Sequence, residues 1–156
     1  MLEIPCKIEF NPKNVTTKHD KQSSWKKTVI CNSGDDLEEY YAWFLKKRFN
    51  LIFNKPLRGS HITIINDKVD NIEAFNTAKE IWHGRDTIFT FEPDEIRSNG
   101  EHWWIKVYND EVARIRTVAG LNPQPYFNLH LTIGLMNEKN IEHSKYILRQ
   151  ILEYGQ

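Results

Sequence analysis

The sequence predicts an α+β domain built from two similar lobes. Strand-like alternation and helix-like apolar spacing are mixed along the chain. Each half contains a helix, a strand and the same short motif inside that strand, a weak internal duplication. No linker or low-complexity segment divides the 156 residues, so residues 1–156 read as a single bilobal domain.

The elements follow in order. Leu2 to Phe10 sets apolar Leu2, Ile4, Cys6, Ile8 and Phe10 against Glu3, Lys7 and Glu9, the pattern of a half-buried strand. Pro5 falls on the polar parity, compatible with an edge. Asn11 to Ser24 is polar apart from Val15 and reads as a loop, and Trp25 to Cys31 as a second strand. Asp35 to Phe49 predicts a helix: Asp36, Glu38 and Glu39 suit its first turn, Lys46, Lys47 and Arg48 its last, and Leu37, Tyr40, Tyr41, Phe44 and Leu45 recur at helical spacing. Pro56 to Ser60 is a loop before a β-branched strand, His61 to Ile65.

Asn71 to His83 predicts a helix ended by Gly84. Asp86 to Arg97 and Glu101 to Tyr108 predict two strands, and the Asn-Gly in Ser98-Asn99-Gly100 signals a hairpin between them. Asp110 to Val118 is a short helix closed by Gly120, and Pro123 and Pro125 mark a loop. Asn128 to Gly134 is a strand. Lys139 to Tyr154 is the last helix, with Ile141, Leu148, Ile151 and Leu152 on one face.

Composition narrows the function. Apolar residues make up 40% of the chain, and five Trp, six Tyr and eight Phe argue for an ordered core and against disorder. Lys plus Arg equals Asp plus Glu at 21 each, so the basic excess that tracks long nucleic acid is missing. A small ligand or a short local contact is expected instead. Cys6 and Cys31 are too few for a disulfide framework and read as buried free thiols in a reducing compartment. No signal-peptide pattern opens the sequence, and no apolar run approaches the roughly 20 residues that span a bilayer. A soluble cytoplasmic protein without a membrane partner is expected.

The chemistry sits in a repeated pattern of His, apolar, Thr, apolar. The first copy is His61-Ile62-Thr63-Ile64; the second is His130-Leu131-Thr132-Ile133, followed by Gly134. Side chains alternate across a strand, so each His shares a face with its Thr while the apolar residues turn into a core. Cleaving a phosphodiester requires one proton taken from the attacking oxygen and one given to the leaving oxygen. Two imidazoles, with ordinary pKa values of about 6.5, are able to do both near neutral pH. Threonine hydroxyls beside them supply donors to the non-bridging phosphate oxygens. One such motif is common and means little, since a lone strand histidine is more often structural. Two copies, each in a β-type strand and each in a different half, are far less expected by accident. His61, Thr63, His130 and Thr132 are therefore the catalytic candidates, and the near symmetry of the motifs leaves open which imidazole is base and which acid.

The paired motifs resemble the signatures of the 2H phosphoesterase superfamily, which includes 2′,3′-cyclic phosphodiesterases and LigT-like RNA-processing enzymes. No motif position departs from that pattern. The resemblance implies a bilobal fold, two antiparallel sheets with helices on the outer faces and a central cleft into which both motifs face. It also implies metal-independent catalysis with no cofactor. Within the superfamily, the short chain and compact motif spacing are similar to phage anti-CBASS cyclic-oligonucleotide phosphodiesterases. That similarity implies hydrolysis of 3′–5′ linkages in cyclic di- or trinucleotides such as cyclic GMP–AMP, a role against host antiviral defence, and the host cytoplasm as its location.

Substrate contacts are read from the residues themselves. Trp103, Ile105 and Val107 alternate as core with Trp104, Lys106 and Tyr108, whose mixture of aromatics and a cation suits a cleft that stacks bases. Tyr126 and Phe127 precede the second motif, and Arg58 and Ser60 precede the first. Trp104, Tyr126, Arg58, Tyr108 and Lys106 are the binding candidates. The expected partner is a cyclic oligonucleotide or short nucleotide, with oligomeric state left open. A zinc site using His61, His130 and a further histidine lacks ligand spacing such as HExxH, and His19, His83, His102 and His143 do not repeat the motif. Two alternatives remain: opening of 2′,3′-cyclic phosphates on RNA ends, and a non-catalytic nucleotide sponge or RNA-binding module.

Overall fold

A computed structural model describes residues 1–12, 27–54 and 60–154 of the chain. The expected loops at Asn11 to Ser24 and Pro56 to Ser60 fall largely outside these residues, as do Arg58, His19, Trp25 and the side chain of Leu152. The described residues form a mixed α/β fold: β1 (Leu2–Phe10), β2 (Val29–Asn32), α1 (Asp36–Phe49), β3 (Phe53–Asn54), β4 (His61–Ile65), α2 (Ile72–Trp82), β5 (Asp86–Phe91), β6 (Ile96–Ser98), β7 (His102–Lys106), α3 (Glu111–Val118), β8 (His130–Met136) and α4 (Ile141–Tyr154), with a 3-10 turn, Glu138–Asn140, leading into α4.

All eight strands belong to one antiparallel sheet in the order β5-β1-β2-β4-β8-β7-β6, with β3 added on β8. This corrects the expectation of two separate sheets. The two halves meet where β4 pairs β8 at Ile62 and Leu131. Pairing the two motif strands satisfies edges that separate sheets would leave open. The sheet also curls back on itself. Thr90 of the terminal strand β5 and Tyr108, two residues past β7, exchange two backbone hydrogen bonds, each 2.9 Å.

The apolar face of the sheet carries the core. Ile62, Ile64, Leu131 and Ile133 are fully buried in one cluster with Tyr41 and Leu45 of α1, Phe75 and Trp82 of α2, Val112 and Ile115 of α3, and Ile147 of α4. α1 packs on β8, α3 on β4, and α2 on both α3 and β1. α1 stops at Asn50, whose φ of 57° is the left-handed conformation asparagine tolerates better than most residues. α2 starts on Asn71, whose side chain accepts from the Ala74 N–H at 3.0 Å.

Four details differ from the sequence expectation. The strand expected over Asp86 to Arg97 is two strands, because Pro93 lacks a ladder donor and the Glu95 N–H turns back to the Glu92 carbonyl at 3.0 Å. That turn carries the chain from β5, the partner of β1, to β6, the partner of β7. β3 is a two-residue strand, too short to leave a periodic signal. Pro5 is not on a terminal strand, but β2 ends opposite Lys7, so β1 pairs only with β5 at Pro5 and its missing N–H is tolerated. Among the described side chains of α4 the buried positions are Ser144 and Ile147, with Ile141 and Ile151 at the margin of the core. Ser144 is buried because its hydroxyl accepts the Trp103 indole N–H at 2.8 Å.

Cys6 and Cys31 are buried free thiols on adjacent strands, and the Cys6 thiol donates to the Ile4 carbonyl at 3.6 Å. The neighbouring Cys31 thiol holds Cys6 below the ordinary thiol value, while Cys6 and burial push Cys31 above it. No helix among the described residues is long and apolar enough to cross a membrane.

Candidate functional site

The site forms where the two motif strands run side by side. Ile62 lies opposite Leu131. Continuing that register one residue each way sets His61 against Thr132 and Thr63 against His130. Alternation keeps these four side chains on one face, where all are half-buried, while their apolar neighbours are buried on the other. Directly opposite side chains in such a pair stand about 4.5–5.5 Å apart at Cβ and diagonal ones about 7–8 Å, and this register makes the two histidines diagonal neighbours.

The neighbouring strands extend this patch. Asn32 of β2 is opposite His61, and Ile30 opposite Thr63. On the other side Trp104 of β7 is opposite Thr132, and Lys106 opposite His130. The row through the first motif therefore reads Asn32, His61, Thr132, Trp104. The second reads Ile30, Thr63, His130, Lys106.

His130 is oriented by its backbone. Its Nδ1 lies 2.7 Å from the carbonyl oxygen of Asn128. A carbonyl only accepts, so Nδ1 carries the proton and donates it. Nε2 then carries a lone pair when the ring is neutral and donates when it is charged. The Trp104 ring meets the imidazole edge to face, with centroids 6.2 Å apart. Lys106 reaches over the Tyr108 ring, with Nζ 5.3 Å from its centroid, and the Tyr108 hydroxyl donates to the Glu95 carboxylate at 2.8 Å.

A depression of about 290 Å³ opens beside the patch, lined by His130, Thr132, Trp104, His102, Asn99 and Asn128. A second, of about 300 Å³, lies on the Lys106 side and shares Asn128 with the first. Of the binding candidates, Trp104 lines the first depression, and Lys106 and Tyr108 line the second. Tyr126 is 74% exposed with its ring edge-on to Phe127, and it lines neither. Arg58 lies outside the described residues. Ser60 is buried, its N–H donating to Asp35 Oδ1 at 3.2 Å, and its hydroxyl has no partner among the described residues.

Asn32, Asn99, His102 and Asn128 were not expected at the site. Their only sequence signals are positional: Asn128 stands two residues before the second motif, and Asn99 and His102 flank the hairpin turn. Asn99 earns its place structurally, its Oδ1 accepting from the N–H groups of Glu101 and His102 at 3.0 and 2.8 Å.

Behind the patch, one buried cation ties the two motif regions together. Arg116 of α3 is 1% exposed. Its guanidinium holds Asp67 through two 2.8 Å hydrogen bonds, the Ile64 carbonyl at 3.0 Å and the Asn122 carbonyl at 2.8 Å. Ile64 follows Thr63, and Asn122 opens the loop that leads to His130. The paired guanidinium keeps the Asp67 carboxyl below the usual carboxylate range.

Among the described residues, no group of three or more His, Cys, Asp or Glu side chains converges as metal ligands would. The arrangement brings together two imidazoles, two hydroxyls and one lysine, a set able to move protons and to hold an anion. The chain matches no family model, no curated protein and no solved structure.

Proposed function

We propose that this protein is a metal-independent phosphodiesterase of the 2H type that opens 3′–5′ linkages in cyclic di- or trinucleotides. The observation that carries the reading is the Ile62–Leu131 pairing of the two motif strands, whose alternation turns the half-buried His61, Thr63, His130 and Thr132 to the other face of the sheet. A phosphate seated between the diagonal imidazoles puts the attacking and leaving oxygens on opposite sides, one imidazole near each. One ring takes the proton of a ribose 2′-hydroxyl as that oxygen bonds to phosphorus. The bond to the 5′-oxygen breaks, and the second ring protonates the departing alkoxide. The product carries a 2′,3′-cyclic phosphate, which water opens with the two roles exchanged. Thr63, Thr132 and Lys106 bear on the non-bridging oxygens, where charge builds in the transition state.

The bilobal cleft belongs to this reading, as the space between the two halves of the curled sheet. So does antagonism of cyclic-nucleotide antiviral signalling in a host cytoplasm, drawn from the resemblance of the motifs to phage enzymes. Two depressions flanking His130 favour a ligand with bases on both sides of the scissile phosphate over a single terminal cyclic phosphate.

The test is incubation with a panel of cyclic di- and trinucleotides, including cyclic GMP–AMP, in excess EDTA, with linear products followed by chromatography. Turnover undiminished by EDTA is expected. Intact ligands throughout the panel, or faster opening of 2′,3′-cyclic phosphate on an RNA end, would overturn the proposal.

A further inference from the structure

The second depression has a chemical polarity of its own. Lys106, the cross-strand neighbour of His130, lies at its motif side. Asp110, the residue before α3, lines it as well. The Asp110 side chain does not cap α3, and among the described residues it makes no hydrogen bond or ion pair. An anion is drawn to Lys106 and repelled by Asp110. A nucleotide placed here therefore puts its phosphate toward Lys106 and His130 and its base toward Asp110.

The rest of the lining suits a base. Half-buried Phe127 and Pro125 offer apolar surface for a flat ring. The side-chain amides of Gln124 and Asn128 also line the depression and make no hydrogen bond among the described residues. A carboxylate is acceptor-only, whereas an amide both donates and accepts. Guanine answers this set. Its ring N1–H and exocyclic amine present two parallel donors to a carboxylate, and its O6 and N7 accept from amides. Adenine presents a bare N1 lone pair where guanine has a donor, which sets two acceptors against each other.

We propose that this depression is a guanine-selective subsite, with Asp110 reading the base edge and Gln124 and Asn128 supporting it. The proposal rests on the phosphodiesterase reading for the position of the phosphate. The guanine preference itself stands on the lining chemistry.

The experiment compares cyclic di-GMP with cyclic di-AMP by isothermal titration in EDTA, using a His130→Ala background to prevent turnover. Binding of the guanine ligand about ten-fold tighter is expected, because the exposed Asp110 carboxylate accepts from guanine's donor pair and meets only a lone pair at the same edge of adenine. Adding Asp110→Asn brings the ratio close to one. Should that variant melt early, Gln124→Ala at an exposed position is expected to narrow the ratio in the same direction. Equal binding of the two ligands, binding of neither, or a ratio unmoved by Asp110→Asn in a folded protein overturns the subsite. Guanine-selective binding without turnover by the wild-type chain overturns the phosphodiesterase reading and leaves the subsite standing. Turnover with no preference for guanine overturns the subsite alone.

Discussion

The two motif strands carry nearly the same four residues, yet their surroundings differ. β8 lies between β4 and β7 and is joined by β3, so the second motif stands beside Trp104 and Lys106, with His130 Nδ1 fixed by a backbone carbonyl. The first motif stands beside β2, which offers Ile30 and Asn32, and the Asn32 side chain already accepts from the Gly34 N–H at 3.1 Å. Both described depressions that reach the motif patch lie on the β8 side. The repeated motif thus supplies nearly the same four side chains twice, while the two described depressions gather on one flank. Similar strands acquire different surroundings through their neighbours.

The largest effect is expected from the imidazoles, where the two halves should behave alike. His61→Ala and His130→Ala each lower turnover by about 10²–10⁴-fold while the chain stays folded, the range for losing a general acid or base. A bell-shaped pH–rate profile accompanies the wild type and loses one limb in each variant. Wild-type rate in either variant removes that residue from the mechanism.

The next effect tests the tie behind both strands. Asp67→Asn leaves the 1% exposed Arg116 guanidinium without its counter-charge, and a loss of about 3–5 kcal/mol is expected in chemical denaturation. The folded-state pKa of Asp67 is depressed, so its contribution to stability is fully present above the unfolded carboxylate value near 3.8. It is lost as pH falls through the lower folded value. Wild-type stability should therefore decline in acid more steeply than that of Asp67→Asn. Parallel curves for the two proteins would remove the pair from the account of stability.

Smaller losses should separate chemistry from recognition. Thr63→Ala and Thr132→Ala are each expected to reduce kcat by about 10²-fold with KM little changed, as when one charge-stabilising donor is removed. Trp104→Ala should do the reverse, raising KM by about ten-fold, since stacking on one aromatic contributes about 1–3 kcal/mol. If Asn32→Ala on the opposite flank raises KM as much as Trp104→Ala, the asymmetry between the two sides is wrong.

Within the fold, single positions show what the tertiary arrangement demands. A Cβ on Gly134 would stand 2.8 Å from the Asn54 carbonyl oxygen and 2.9 Å from Phe53 Cβ, so β3 comes this close to β8 at a position without a side chain. Gly134→Ala is expected to destabilise the chain by about 1–3 kcal/mol, as overpacking does, measured by the shift in denaturation midpoint. An unchanged midpoint would mean β3 moves aside freely.

Much of this was legible in the sequence because its causes are local. Alternation placed β1, β4 and β8, and helical spacing with charged ends placed α1. The His and Thr parity followed from the two-residue repeat of a strand. The alternation of Trp103, Ile105 and Val107 against Trp104, Lys106 and Tyr108 separated core from open face in the same way: the first three are buried and the second three half-buried. The two-residue β3 and the Pro93 turn were missed because a pattern so short, or one interrupted by so few residues, hardly alters the periodicity.

The sequence by itself determined which residues are chemically equipped and which face of its own strand each occupies, since both depend on neighbours one or two residues away. Only the tertiary structure decided that the strands join in one curled sheet with Ile62 opposite Leu131. That register, set by contacts between residues far apart in the chain, turns two separate motifs into one patch and brings Asn32, Trp104, Lys106 and Asp110 around it.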